Sequence, residues 1–111
     1  MLRQVVLVDN PRKEFDLGNL RQYGEITNIR DRLGGVNPFI DGNFEEALLQ
    51  ALDEINFDPL VDFVALIGRQ MQLTLAILTI QKVYGDFTLL AYSNSESRYT
   101  QRRIVCQALQ N

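Results

Sequence analysis

Val5, Val6, Leu7 and Val8 form an unbroken β-branched and leucine run, stopped at once by Asp9, Asn10 and Pro11. A strand with one wet face alternates apolar and polar side chains. A run without alternation must be covered on both faces, the condition of a strand inside a parallel sheet. A second run of the same kind, Asp62 to Gly68, reads Asp-Phe-Val-Ala-Leu-Ile-Gly. Two doubly covered strands need a layer above and a layer below, and parallel neighbours need long crossovers, so helices must lie between them in sequence.

The intervening residues carry those helices. Pro11 removes a donor and holds Asn10 extended, after which Asp16 to Tyr23 reads as a short helix closed by Gly24. Glu25 to Ile29 reads as the second strand. Gly34, Gly35, Asn37, Pro38, Asp41 and Gly42 then make a long irregular connection. Asn43 is predicted to cap the next helix, with Glu46 completing a capping box and Glu45 and Glu46 at the positive end of the dipole. Phe44, Ala47, Leu48, Ala51, Leu52 and Ile55 recur at helical spacing and give it one apolar stripe, and Asn56 to Pro59 ends it.

Gln70 to Tyr84 follows as a helix that is apolar almost all round, stopped by Gly85. Its apolar residues do not fit one stripe, so it is expected either deep in the fold or against another chain, with Leu75 and Leu78 hidden. Asp86 to Tyr92, a polar turn from Ser93 to Ser97, and Arg98 to Val105 read as an antiparallel edge hairpin. The expected fold is one α/β domain over residues 1–111. It is a small three-layer sandwich around a mostly parallel sheet of about five strands, flavodoxin- or Rossmann-like in topology, with the hairpin at its C-terminal edge.

Composition narrows the function. A chain of 111 residues that is 46% hydrophobic buries one core, and with 23% charged residues it is not disordered. The net charge of -3 offers no general attraction to nucleic acid or anionic lipid. Cys106 is the one cysteine, so an internal disulfide or multi-cysteine metal cluster cannot form, which fits a reducing compartment such as the cytoplasm. It reads as a small buried hydrophobe. No signal-peptide core or membrane span is expected: the run before Asp9 is short, and the longest uncharged stretch, Gln70 to Gln81, contains Gln and Thr. There is no histidine, which excludes Ser-His and Cys-His nucleophile pairs and histidine metal ligands. No catalytic residue, metal ligand or cofactor is assigned.

Two clusters remain. In an open parallel sheet ligands bind beyond the carboxyl ends of the strands, where Asp9, Asn10, Arg12, Lys13, Asp31, Arg32, Gly68, Arg69 and Gln70 fall. Gly68-Arg69-Gln70 offers backbone amides and a guanidinium to a phosphate, although neither GxGxxG nor a Walker lysine is present. Asp9 or Asp31 is a conceivable general base or Mg²⁺ ligand, against the plainer role of capping a turn. Arg98, Tyr99, Arg102 and Arg103 form a basic cluster with an aromatic inside it, a pattern that stacks and pairs with nucleic acid but that also protects an edge strand from aggregation, the preferred reading in an acidic domain.

Phe15-Asp16, Tyr23-Gly24-Glu25, Phe57-Asp58-Pro59, Asp62-Phe63, Gly68, Tyr84-Gly85, Leu89-Leu90-Ala91-Tyr92, Tyr99 and Arg102 together resemble small uncharacterised phage-encoded α/β proteins. The resemblance implies origin in a virus of bacteria and action inside the host cell or in a viral assembly, and it brings no catalytic residue. The expected function is therefore contact with protein, as a homo-oligomer or on a host or viral partner. A small-ligand or nucleotide module at the strand ends is the alternative.

Overall fold

The computed structural model describes residues 3–9, 17–33 and 42–105. Asn10, Arg12, Lys13, Cys106 and most of the glycine-rich connection lie outside them. Five strands form one sheet: β1 (Gln4–Leu7), β2 (Glu25–Asn28), β3 (Phe63–Ala65), β4 (Phe87–Ser93) and β5 (Arg98–Ile104). Their order is β2-β1-β3-β4-β5, with the first four parallel and β5 antiparallel to β4. The helices are α1 (Gly18–Arg21), α2 (Phe44–Glu54) and α3 (Gln70–Tyr84), with a 3₁₀ turn over Arg30–Leu33.

The handedness of crossovers places the helices. The step from β1 to β2 runs one way across the sheet, and the steps to β3 and β4 run the other way, so right-handed connections put α1 on one face and α2 and α3 on the opposite face. Side-chain alternation agrees. Val6, Val64, Phe87 and Leu89 pack with Phe44, Leu48, Leu52, Ala76 and Ile80. Val5, Leu7, Phe63, Ala65 and Leu90 pack with Leu20, and with Tyr99 from β5. Each fully buried Leu or Phe contributes about 2 kcal/mol of transfer free energy, so the two faces together supply the driving force for the fold.

Several local expectations change. The sheet register of the second apolar run covers only Phe63–Ala65, because Leu66 is part exposed and the chain turns toward Gly68. The helix read over Asp16 to Tyr23 is described only as the single turn of α1. The capping box does not form: Asn43 has φ -96° and ψ 3°, outside the extended region from which a cap side chain reaches back, and it makes no side-chain cap bond. The helix starts instead on the bond from Ala47 N to Asn43 O at 2.9 Å and on the burial of Phe44. Its end follows sequence closely. Asn56 adopts φ 55°, Asn56 N donates to Asp53 O and Phe57 N to Leu52 O, both at 3.0 Å, which is the Schellman arrangement with asparagine in the left-handed position.

The outcome for α3 is divided. Gln72, Ala76, Thr79 and Ile80 are buried, and Leu73, Leu75 and Ile77 are packed at the margin of the core. Leu78 is 59% exposed, contrary to expectation, and Met71 and Val83 are also open. A helix lying on one face of a sheet has an outer side whatever its composition, and here Met71 and Leu78 are open on it beside Thr74 and Lys82.

Candidate functional site

The carboxyl ends of β1 and β3 lie side by side, and sequence order reverses between them. Asp9 follows β1 and is 5% exposed. Its Oδ2 accepts hydrogen bonds from Arg69 N and Arg69 Nε, each at 3.0 Å, and its Oδ1 lies 3.4 Å from Arg30 Nε. Arg69 Nη2 donates to Gln72 Oε1 at 2.8 Å, and Gln72 Nε2 donates to Val8 O at 2.6 Å. Gly68 makes this approach possible. Its φ is +136°, and a Cβ there would sit 2.5 Å from Asp9 Cβ, so a side chain is excluded both by backbone conformation and by space.

Three of the residues singled out from sequence, Asp9, Gly68 and Arg69, thus come together. Gln70 opens α3 and is exposed, and its carbonyl accepts from Thr74 Oγ1. Asp31 is exposed in the 3₁₀ turn and does not join the cluster, while Arg32 pairs with Glu54 at 2.6 Å. The arginine that reaches Asp9 is the neighbouring Arg30, because the 3₁₀ turn aims its first residue inward. Gln72 was not singled out, although a polar residue in register with Ala76, Thr79 and Ile80 carries the signal of a buried group that needs partners. With its oxygens engaged by an amide and two guanidinium groups, Asp9 is built as an anchor between strand ends. Among the described residues no three His, Cys, Asp or Glu side chains gather closely enough to hold a metal ion.

A second buried carboxylate lies at the opposite end of these strands. Asp62, 4% exposed, accepts from Gln4 N at 2.9 Å through Oδ1, and from Gln4 Nε2 at 3.2 Å and Asp58 N at 2.8 Å through Oδ2. Gln4 also donates to Ile55 O at 2.9 Å and accepts from Thr27 Oγ1 at 3.0 Å. Asp62 was read as the start of a strand; it ties that strand to β1 and to the turn before it.

The basic cluster on β5 does not assemble as a stacking platform. Arg98 and Arg102 share the α2/α3 face, and Tyr99 and Arg103 the other, as strand alternation requires. Tyr99 is 2% exposed, edge-on to Tyr92 at 5.4 Å between centroids, and its carbonyl accepts from Tyr23 Oη at 2.8 Å. A buried ring has no face for a base. Arg103 donates to Pro59 O and Thr88 Oγ1, and Arg98 pairs with Glu96. Burial, and then the neighbouring Tyr92, push the Tyr99 phenol above its ordinary value, and burial followed by Asp53 does the same to Tyr84.

No helix among the described residues is long and apolar enough to cross a membrane. No family model matches the chain, and neither a curated protein nor a solved structure is significantly similar to it.

Proposed function

We propose that this chain is a non-enzymatic accessory protein that works by protein contact, and that the outer side of α3 is the surface on which two copies meet. The observation that carries the reading is the run Met71, Leu75 and Leu78, at spacings of four and three, with Leu78 59% and Met71 38% exposed. Apolar residues at this spacing form a line along a helix that a second helix can cover, and a two-fold axis near Leu75 and Leu78 lays the patch on its own copy. The resemblance to phage-encoded α/β proteins supports a setting in the cytoplasm of a bacterial host or in a viral assembly.

Light scattering across micromolar concentrations tests self-association directly. The wild-type chain is expected to exceed monomer mass, and Leu78→Asp to return it to monomer without loss of folded stability, because the site is exposed. A wild-type monomer at every concentration overturns the reading.

A second reading has one favourable observation: Asp9, Gly68 and Arg69 do converge where the sheet order reverses, as in doubly wound proteins of order 2-1-3-4-5 that bind ligands there. The engagement of Asp9 by Arg69 and Arg30 weighs against it. A thermal-shift screen of common nucleotides decides between them, since ligand at 100 times its dissociation constant stabilises a fold by about 2.7 kcal/mol.

A further inference from the structure

On the face opposite α3 a groove runs between α1 and the edge strand β2. Leu17 and Arg21 from α1, Gly24, Glu25 and Ile26 from the entry to β2, and Arg3 ahead of β1 enclose about 650 Å³. That volume is in the range of ligand-binding clefts.

Three observations define what would fill it. Arg3 and Arg21 pair with no carboxylate among the described residues, although acidic residues outnumber basic ones 14 to 11 in the chain; Arg3 lies over the Phe63 ring at 5.9 Å and Arg21 has no partner there. Among the described residues Glu25 is the one acidic wall residue, and their lining is net positive. Next, Glu25 N donates to Arg3 O and Ile29 N to Leu7 O, so the odd-numbered residues of β2 bond to β1 and the backbone of Ile26 between them is turned away from the sheet. An edge with outward amide and carbonyl groups is a template for one more strand. Finally, Leu17 and Ile26 give the groove apolar surface beside the arginines.

We propose that this groove binds an extended acidic peptide, which pairs with the β2 edge at Ile26 and sets a carboxylate between Arg3 and Arg21. Strand pairing supplies main-chain hydrogen bonds. Residues two apart along the added strand share the groove face, so one such position carries an apolar side chain to Leu17 and Ile26 and the next an acidic one to the guanidinium groups.

The test is selection from a random-peptide display library on the immobilised wild-type chain, followed by titration of the enriched peptides with amide chemical shifts as the readout. Enriched sequences are expected to place Asp or Glu two residues from an apolar residue and to shift Arg21 and Gly24 to Ile26. Arg21→Glu is expected to weaken binding by about tenfold or more. Ile26→Pro, which removes an outward amide and no ladder bond, is expected to do the same. Thermal unfolding of both variants verifies their fold, and Arg21→Glu, at an exposed site, carries the result if Ile26→Pro is destabilised. No enrichment, enriched peptides lacking carboxylates, shifts confined elsewhere, or unchanged affinity in Arg21→Glu each overturn the proposal. None of these outcomes bears on α3, which lies across the sheet.

Discussion

Asp9 and Asp62 occupy opposite ends of the same pair of neighbouring strands, both nearly sealed from water, and the protein satisfies them in different ways. Asp9 meets charge: Arg30 from the turn after β2 and Arg69 from the turn after β3 converge on it. Asp62 meets dipoles, with two amide hydrogens of Gln4 and one of Asp58 as donors. Each removes a carboxylate from water at a cost that only well-aligned donors offset. The arginine solution ties the carboxyl ends of three strands together across long sequence separations. The amide solution fixes β1 to the turn that starts β3. The two anchors are equally buried, and the difference between them lies in how much of their stabilisation depends on opposite charge.

Substitutions at each end sharpen that contrast. Gly68→Ala is expected to have the largest effect, about 3 kcal/mol or more in denaturant unfolding, since it combines a disallowed backbone with a collision against Asp9. Gly85→Ala is the control: φ is +82° there but a Cβ meets nothing within 4 Å, so about 1 kcal/mol is expected. Next come the asparagine variants. Asp9→Asn leaves two guanidinium groups facing each other without an anion and is expected to cost about 3 kcal/mol, against about 2 kcal/mol for Asp62→Asn, which sets an amide NH2 against at least one of the N–H donors but strands no charge. Equal losses, or a larger one at Asp62, would break the distinction between the two ends. Added salt is expected to erode the wild-type advantage over Asp9→Asn but not over Asp62→Asn, because the Arg30 and Arg69 side chains are 42% and 58% exposed.

Gln72→Leu is expected to cost about 1–2 kcal/mol by stranding the Val8 carbonyl. The smallest effect belongs to Tyr99, whose buried hydroxyl has no hydrogen-bond partner among the described residues, so Tyr99→Phe is expected to stay within about 0.5 kcal/mol at neutral pH. Its pH signature is more telling. With the folded phenol pushed above its ordinary 10.0, the unfolded chain ionises first, and stability present below pH 10 is lost as pH rises past it. Tyr99→Phe removes part of that alkaline loss, and denaturant midpoints between pH 9 and 11 would measure it.

The central strands were legible because a run such as Val5 to Val8 allows only double coverage, and the crossovers followed from that. Gly68 and Arg69 were legible as strand-end residues. Arg30 was missed in favour of Asp31, because the phase of a short 3₁₀ turn is not written in composition. Asn43 carries the residue type of a cap without the backbone to use it. Tyr99, whose arginine neighbours offered stacking only as the less favoured reading, turns inward because β5 alternates against β4 and Tyr92 lies opposite. Leu78 looked buried because apolar character was taken as a measure of depth, whereas the inner side of α3 includes Gln72 and Thr79.

The strand order also governs how the chain reaches this state. β1 is made first yet lies in the interior of the sheet, and its second neighbour, β3, is joined to it only through residues more than fifty positions later. During synthesis Val5 to Val8 must wait for both edges, a slow non-local closure, whereas β4 and β5 zip locally through one turn. The hairpin made last can therefore be complete before the strand made first has found its place.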